Sequence, residues 1–577
     1  MALDPMLPSV RFRQFIPTGW DVAAFVIVVC LLAMIATAGQ QMMSPLAALD
    51  ISPVSLDPAQ LPEYALRTTV RMLAALVVSL LFTFVYATAA AKSRRAELIL
   101  IPVLDILQSV PILGFISLTI VAFMSLAPGR VLGAEFAAVF AIFTSQAWNM
   151  TFSLYQSLRT IPADLDEAAS SFRFSGWLRF WKVEVPFAMP GLIWNMMMSM
   201  SGGWFFVVAA EAITVGNTTI TLPGIGSYIA LAIEQRNLHA VGWAILTMLV
   251  VIFAYDQLLF RPLVAWADRF RFEQTPGDVP PESWFLTMVR RSRLVRASMG
   301  PVDRTIQWSF RFSHKLQLTS PASMVGWAQS KIVDWAWLAL IAAVTLFAAV
   351  RIFNFISGTL SFPDFLGAFG LGLITLVRVV VMIALASLVW VPIGVLVGLN
   401  PKAARWVQPI AQFLAAFPAN LVFPVAVVLI VHFHLHPDIW VSPLMVFGTQ
   451  WYILFNVIAG ASALPSDLRD TATNLRVRGW LWWKKVALPG VFPYYLTGAI
   501  TASGGSWNAS IVAELVSWGD QRLVAHGIGS YIAQATEAAD YPRIVLGIAV
   551  MSILVTVFNR FLWRPLYRYA EQRCRLA

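Results

Sequence analysis

Gly224-Ile225-Gly226-Ser227-Tyr228-Ile229-Ala230 returns residue for residue as Gly527-Ile528-Gly529-Ser530-Tyr531-Ile532-Ala533. The copies stand 303 positions apart (527 − 224 = 303), and the same offset carries Pro162 to Pro465, Gly176-Trp177 to Gly479-Trp480, Lys182 to Lys485, Trp204 to Trp507, Glu211 to Glu514 and Arg261-Pro262-Leu263 to Arg564-Pro565-Leu566. A long internal repeat with no insertion over its second half describes two like-folded halves packed face to face, with function on their shared axis. The expected division is residues 1–268 for the first repeat, 269–331 for a basic linker and 332–577 for the second repeat.

With 59% hydrophobic and 12% charged residues and a mean hydropathy of +0.72, the chain carries more apolar surface than one water-soluble core hides, so its solvent is lipid. Apolar runs around Val22 to Ala38, Leu66 to Ala91, Leu98 to Met124, Ala134 to Leu158, Pro190 to Ile213 and Ala240 to Val264 approach or exceed the roughly 20 residues that cross a bilayer. A second set near Val333 to Phe353, Leu371 to Gly398, Val407 to Val431, Ile439 to Gly460, Pro493 to Leu515 and Ile544 to Trp563 repeats the plan. The fold class is therefore an all-α polytopic membrane protein of two pseudo-symmetric repeats, about six spans each. Pro102, Pro111, Pro409 and Pro418 are expected to kink or break helices.

Cationic loops are retained in the cytoplasm. Arg11 and Arg13 precede the first run, Lys92, Arg94 and Arg95 follow the second, and Arg159 to Lys182 follow the fourth. Arg269, Arg271, Arg290, Arg291, Arg293, Arg296, Arg304, Arg311 and Lys315 crowd the linker, while the loop from Gln40 to Glu63 has acids but no Lys or Arg. Both termini and the linker are expected in the cytoplasm, and the net charge of +10 reads as a topology signal, not a nucleic-acid site. Cys30 and Cys574 are too far apart in setting to pair. No cleavable signal is evident before the first apolar run.

Between the fourth and fifth runs lies Ile161-Pro162-Ala163-Asp164-Leu165-Asp166-Glu167-Ala168-Ala169, answered by Leu464-Pro465-Ser466-Asp467-Leu468-Arg469-Asp470-Thr471-Ala472. Proline at the start, acids in the first turn and small residues behind predict a short helix in each repeat, its N-terminal dipole complemented by carboxylate. Ala168, Ala169 and Ala472 are expected to leave a surface that another protein approaches closely. Trp177, Phe180, Trp181, Trp480, Trp482 and Trp483, interleaved with Arg179, Lys182, Lys484 and Lys485, suit the headgroup layer of the bilayer.

These loops resemble those of the integral membrane subunits of ATP-binding cassette importers, in which Glu-Ala-Ala, a downstream Gly and a closing Leu-Pro mark a coupling helix that docks on an ATPase. Glu167-Ala168-Ala169 and Leu488-Pro489 match that pattern. The resemblance implies two cytoplasmic ATP-binding cassette subunits as partners, contacted through Glu167, Ala168, Ala169 and Gly176 in one repeat and Asp470, Thr471, Ala472 and Gly479 in the other. It also implies a periplasmic substrate-binding protein and a bacterial inner-membrane location. Two departures stand out: Arg173 and Arg476 occupy the usual Gly position, with Gly176 and Gly479 three residues on, and Asp470-Thr471 replaces Glu-Ala. No Gly-x-x-x-x-Gly-Lys-Ser/Thr loop occurs, so the chain is not expected to be an enzyme, and ATP and Mg are expected on the partners.

The order Gly203-Trp204 or Ser506-Trp507-Asn508, then Glu211 or Glu514, then Gly-Ile-Gly-Ser-Tyr-Ile resembles the nitrate, taurine and sulfonate branch of these permeases in tandem-fused form. A small anion would need a cationic or dipolar path near the midline. Arg71, Arg378, Trp204, Trp507, Asn508, Glu211 and Glu514 are the path residues proposed from sequence, with structural Arg–Glu pairing as the competing explanation. Gln146, Trp148, Asn149, Gln450 and Trp451 have the same two readings, passage lining or interhelical glue. His432, His434 and His436 alternate, a spacing that splays side chains on a helix, so an interfacial role is expected and no metal site. The alternative function is an ion-coupled secondary transporter of two parallel six-helix repeats. It leaves the paired loops without a purpose. A membrane-embedded enzyme lacks any recurring set of His, Cys or carboxylate at catalytic spacing.

Overall fold

The computed structural model describes residues 21–22, 25–26, 45, 54–109, 119–120, 122–215, 218–270, 283–292, 308, 331–462 and 464–573. Most of the first apolar run, Pro111, both cysteines and most of the basic linker lie outside these residues.

In the first repeat α1 (Leu61–Lys92), α2 (Arg94–Ser109) and α3 (Val131–Arg159) are followed by the short α4 (Ala163–Ser171). Then come α5 (Val185–Glu211), the hairpin β1 (Ala212–Val215) and β2 (Thr218–Thr221), α6 (Ile225–Glu234), α7 (Leu238–Tyr255) and α8 (Arg261–Ala267). After α9 (Trp284–Arg291) and α10 (Lys331–Ser357), the second repeat runs α11 (Phe362–Gly398), α12 (Pro401–Ala416), α13 (Phe423–His432), α14 (Pro437–Trp440), α15 (Ser442–Phe447) and α16 (Gln450–Ser462). It closes with α17 (Ser466–Asn474), α18 (Leu488–Ala513), β3 (Leu515–Trp518), β4 (Gln521–Val524), α19 (Ile528–Glu537), α20 (Tyr541–Phe558) and α21 (Arg564–Arg573). The plan of long helix, antiparallel hairpin, short helix and long helix thus occurs twice, with Ala212 opposite Thr221 and Leu515 opposite Val524.

Helix ends follow from local chemistry. α1 has Pro in its first turn, Glu63 beside it and Lys92 in its last turn, each sign matched to the dipole. α11 begins with a capping box in which Asp364 accepts from the Ser361 amide at 2.9 Å.

Among the described residues six helices are long and apolar enough to cross a membrane, or seven if the bent pair Pro437–Phe447 and Gln450–Ser462 is one span. Two expected runs are corrected. Val407 to Val431 is not one helix: Pro418 and a 3-10 turn at Ala419–Leu421 divide α12 from α13, because the proline cannot continue the ladder. Ile439 to Gly460 is bent by 44°. Pro102 and Pro409, in contrast, lie inside helices.

The described chain forms two compact units. One comprises Met1–Gln41, Ser153–Met197 and Phe253–Val333, and the other Met42–Phe152, Met198–Ile252 and Asp334–Ala577. In the larger unit, one side of α1 buries Arg71, Met72, Ala75, Leu76, Ser79 and Thr83 at helical spacing while Val77, Val78, Leu81 and Val85 are exposed, which is a lipid-facing stripe on a polytopic chain. α11 packs on α16, and the small residues Gly394 and Gly398 permit it: a β-carbon on Gly398 would lie 2.6 Å from that of Ala461.

Candidate functional site

The two short helices expected between the fourth and fifth runs are present. α4 is preceded by Pro162 and has Asp164 and Asp166 in its first turn; α17 is preceded by Pro465. Both end in the same six-residue closure. The Phe174 amide donates to the Ala169 carbonyl at 3.0 Å and the Arg173 amide to Ser170 at 2.9 Å, while Val477 donates to Ala472 at 2.8 Å and Arg476 to Thr473 at 3.0 Å. This closure needs a left-handed residue, and Arg173 (φ 51°) and Arg476 (φ 53°) adopt that conformation where the importer pattern has Gly. Glycine enters this conformation without steric cost, and the two arginines hold it nonetheless.

The members of each triplet differ in exposure. Ala169 and Ala472 are buried against their own chain, because the third residue of each triplet turns inward on a 3.6-residue helix. Glu167 and Ala168 in the first repeat, and Asp470 and Thr471 in the second, are the exposed members. Downstream supports differ. Arg179 bridges Asp166 at 2.6 Å and Glu184 at 3.1 Å, tying α4 to the π-helical segment Phe180–Glu184. The second repeat has Arg469, Trp482 and Ala487 at those three positions, so the ionic tie is missing there by composition.

A second constellation sits where the hairpins meet α1 and α11. Arg71, 2% exposed, donates to both oxygens of Glu135 at 2.6 Å, to Glu211 at 2.7 Å and to the Pro223 carbonyl at 3.0 Å. Glu211 also accepts from Thr68 Oγ1 and from the Gly226 amide, each at 2.7 Å. In the second repeat Arg378 donates to Glu514 at 3.0 Å, to Asp438 at 2.9 Å and to the His526 carbonyl at 2.7 Å, and Glu514 accepts from Thr375 at 2.7 Å and Gly529 at 2.8 Å. Buried charges matched in this way cross-link three elements at once. The copied heptapeptide is thus a carboxylate-binding helix start: the amides of Gly226, and of Gly529 and Ser530, donate to Glu211 and Glu514, while those of Ile225 and Ile528 donate to Thr68 and Thr375.

The second acid, Glu135 or Asp438, was not singled out from sequence. The signal was there: the two stand at the same 303 offset, masked by the change from Glu to Asp. Arg71 and Arg378, in contrast, are 307 apart, because the first repeat holds four more residues between its arginine and that acid (135 − 71 = 64; 438 − 378 = 60).

A family model described as "Binding-protein-dependent transport system inner membrane component" matches residues 79–261 and again 390–575. The chain belongs to this family. It is a tandem permease, with the family region present twice. The bicarbonate transport system permease protein CmpB of Synechococcus elongatus is 31% identical over 196 residues, 34% of this chain and 67% of that protein. The nitrate import permease protein NrtB of Leptolyngbya laminosa is 27% identical over 186 residues, 32% of this chain and 63% of the relative. A putative ABC transporter permease protein, MJ0413 of Methanocaldococcus jannaschii, is 23% identical over 205 residues, 34% and 73% of the two chains.

Within the larger unit of the permease, α5 of the first repeat and α15, α16 and α18 of the second enclose a cavity of about 70 Å³. Gly202 and Phe205 meet Thr449, Tyr452, Gly505 and Asn508 there. Of the path residues proposed from sequence, Asn508 lines this cavity. Trp204 and Trp507 do not: both are 1% exposed and form core. The Arg–Glu clamps are likewise not among its lining residues. Elsewhere in the larger unit the two repeats are joined by the Arg236–Asp520 ion pair at 2.6 Å and by the Gly519 amide on the Ile233 carbonyl at 3.0 Å. Gln146 is buried against the sulfurs of Met72 and Met200, and Gln450 accepts from the Trp390 indole at 2.9 Å, which is interhelical glue. His432 ends α13, His434 takes a left-handed turn (φ 52°) and His436 precedes α14, so the triplet straddles a helix break.

Proposed function

We propose that this permease forms the translocation path of an ATP-driven importer, in which two cytoplasmic ATP-binding cassette subunits dock on α4 and α17 and a periplasmic binding protein delivers a small anion. The observation that carries the reading is the duplicated docking helix. Each repeat presents an exposed acid at the same point, Glu167 and Asp470, on a short helix closed by the same hydrogen bonds. Bicarbonate or nitrate, the cargoes named for the relatives, has the right size. A cavity of about 70 Å³ is well above the roughly 10–15 Å³ that seats one water, so it has room for a solute of a few heavy atoms such as a small oxyanion. Its polar contacts come from neutral groups, Thr449, Tyr452 and Asn508. Neutral donors bind an oxyanion loosely, and loose binding suits a path the solute must leave. In this reading the Arg71 and Arg378 clamps fix the ends of the helices that rock, and do not themselves touch cargo.

The test is reconstitution of the full chain with its ATPases in vesicles. Charge reversal, Glu167→Lys or Asp470→Lys, should leave the membrane fold intact while reducing ATPase co-purification and binding-protein-stimulated uptake. Unchanged co-purification and uptake in the double variant would refute docking at these helices.

A further inference from the structure

At the end of α20 the chain passes through a π-helical segment, Asn559–Trp563, into α21. This segment and α21, facing Ile500 of α18, enclose a cleft of about 440 Å³ lined by Asn559, Arg560, Trp563, Arg564 and Arg568. Among the described residues that line it there is no carboxylate. No acid pairs with Arg560 or Arg568 among the described residues.

Comparison with the first repeat shows that the charge is not inherited. At the equivalent positions that repeat has Asp256, Gln257, Phe260, Arg261 and Ala265 where the second has Asn559, Arg560, Trp563, Arg564 and Arg568. In the first repeat the acid neutralises the shared arginine, Asp256 to Arg261 at 3.2 Å. In the second that acid is an amide, two further arginines are added, and a phenyl ring becomes an indole. Each change adds donor capacity or removes negative charge. The indole supplies an independent sign: Trp563 is 6% exposed, its ring is held edge-on to Phe558 at 5.8 Å, and its N–H is buried without an acceptor. A buried donor left unmatched costs free energy that an incoming oxygen would recover.

The depth of the cleft indicates where that oxygen comes from. The 18 residues of α20 rise about 27 Å, close to the thickness of the hydrocarbon core. The continuous apolar helix runs on from Tyr541 to Ala570, and Arg560, Arg564 and Arg568 gather toward that end, where guanidiniums reach for the headgroup layer. Basic pockets between helices at that level recognise lipid phosphates, and the volume suits a phosphate with its glycerol.

We propose that this cleft binds the headgroup phosphate of one anionic phospholipid, held by Arg560 and Arg568 with the Trp563 indole N–H as a further donor. The site belongs to the second repeat alone and does not depend on what the permease transports.

Native mass spectrometry of the full chain with its ATPase partners, delipidated and titrated with phosphatidylglycerol, phosphatidylcholine and inorganic phosphate, tests this. The expected result is one tightly retained phosphatidylglycerol per chain. Retention should weaken about tenfold or more in an Arg560→Gln/Arg568→Gln variant, and about threefold to tenfold in Trp563→Phe, which keeps the ring and removes the donor. Arg261→Gln in the first repeat should change nothing. Equal retention of phosphatidylcholine, or undiminished phosphatidylglycerol in both cleft variants, would overturn the proposal. Displacement of the lipid by millimolar inorganic phosphate would also overturn it, by assigning the cleft to a free anion.

Discussion

The Glu211 carboxylate fills the space that a β-carbon on Gly224 would occupy, and Glu514 stands in the same relation to Gly527. Both glycines are extended (φ 178° and −177°), a conformation any residue adopts, so the requirement is for room and not for backbone freedom. Gly224→Ala and Gly527→Ala should each destabilise the chain by about 1–3 kcal/mol, the usual cost of overpacking. Gly242 has nothing within 4 Å of its β-position, so Gly242→Ala in the same assay should be neutral or stabilising by up to about 1 kcal/mol. Thermal melting of the detergent-solubilised protein distinguishes them, and a Gly224→Ala melting curve equal to wild type would remove the close approach as the reason for the repeated glycine.

The clamps are unequal, and their response to mutation should show it. Glu135 is 8% exposed and meets Arg71 through both oxygens, while Asp438 is 27% exposed and meets Arg378 through one side-chain oxygen. Removing the charge in Glu135→Gln leaves a buried guanidinium half compensated and should cost about 3–5 kcal/mol. Asp438→Asn, where water shares the work, should cost closer to 1 kcal/mol. Equilibrium unfolding of the two variants orders them, and the reverse order would count against burial as the deciding term.

What was legible in the sequence follows from how each feature is encoded. The 303 offset exposed the paired short helices α4 and α17, the heptapeptide and the paired Glu211 and Glu514, because each rests on a contiguous run of unusual residues. Glu135 and Asp438 were hidden, since a lone acid beside unlike neighbours has no local pattern and only the folded arginine reveals it. Trp204 and Trp507 were assigned to the path from their residue type, but a large ring between close-packed helices is more readily core. The small size of Ala168, Ala169 and Ala472 suggests a close approach by another protein, but only the fold shows that Ala169 and Ala472 turn toward their own chain while Ala168 stays exposed, since successive helix residues point 100° apart.

Arg173 and Arg476 carry a left-handed strain that a glycine would not. Relief in Arg173→Gly or Arg476→Gly should offset the greater freedom of the unfolded chain and stabilise the end of α4 or α17 by up to about 1 kcal/mol. Amide exchange at Arg173 and Phe174, or at Arg476 and Val477, should slow correspondingly. Faster exchange would mean that the arginine side chains contribute contacts worth more than the strain.

Asn508 breaks the symmetry of the cavity, because the first repeat has Phe205 at the equivalent place. Asn508→Phe makes the two walls alike and puts a ring into a space of about 70 Å³. If solute passes here, uptake should fall about tenfold or more, since a filled path adds a barrier of at least ~1.4 kcal/mol. ATP hydrolysis by the docked ATPases should persist, because α4 and α17 are untouched. Asn508→Ala separates blockage from misfolding: it enlarges the cavity, removes the amide donor that now reaches the Gly504 carbonyl at 3.3 Å, and should preserve uptake of a small anion while relaxing its selectivity. Uptake that survives Asn508→Phe at wild-type rate, in a protein that still elutes as a folded complex, would place the route elsewhere in the permease.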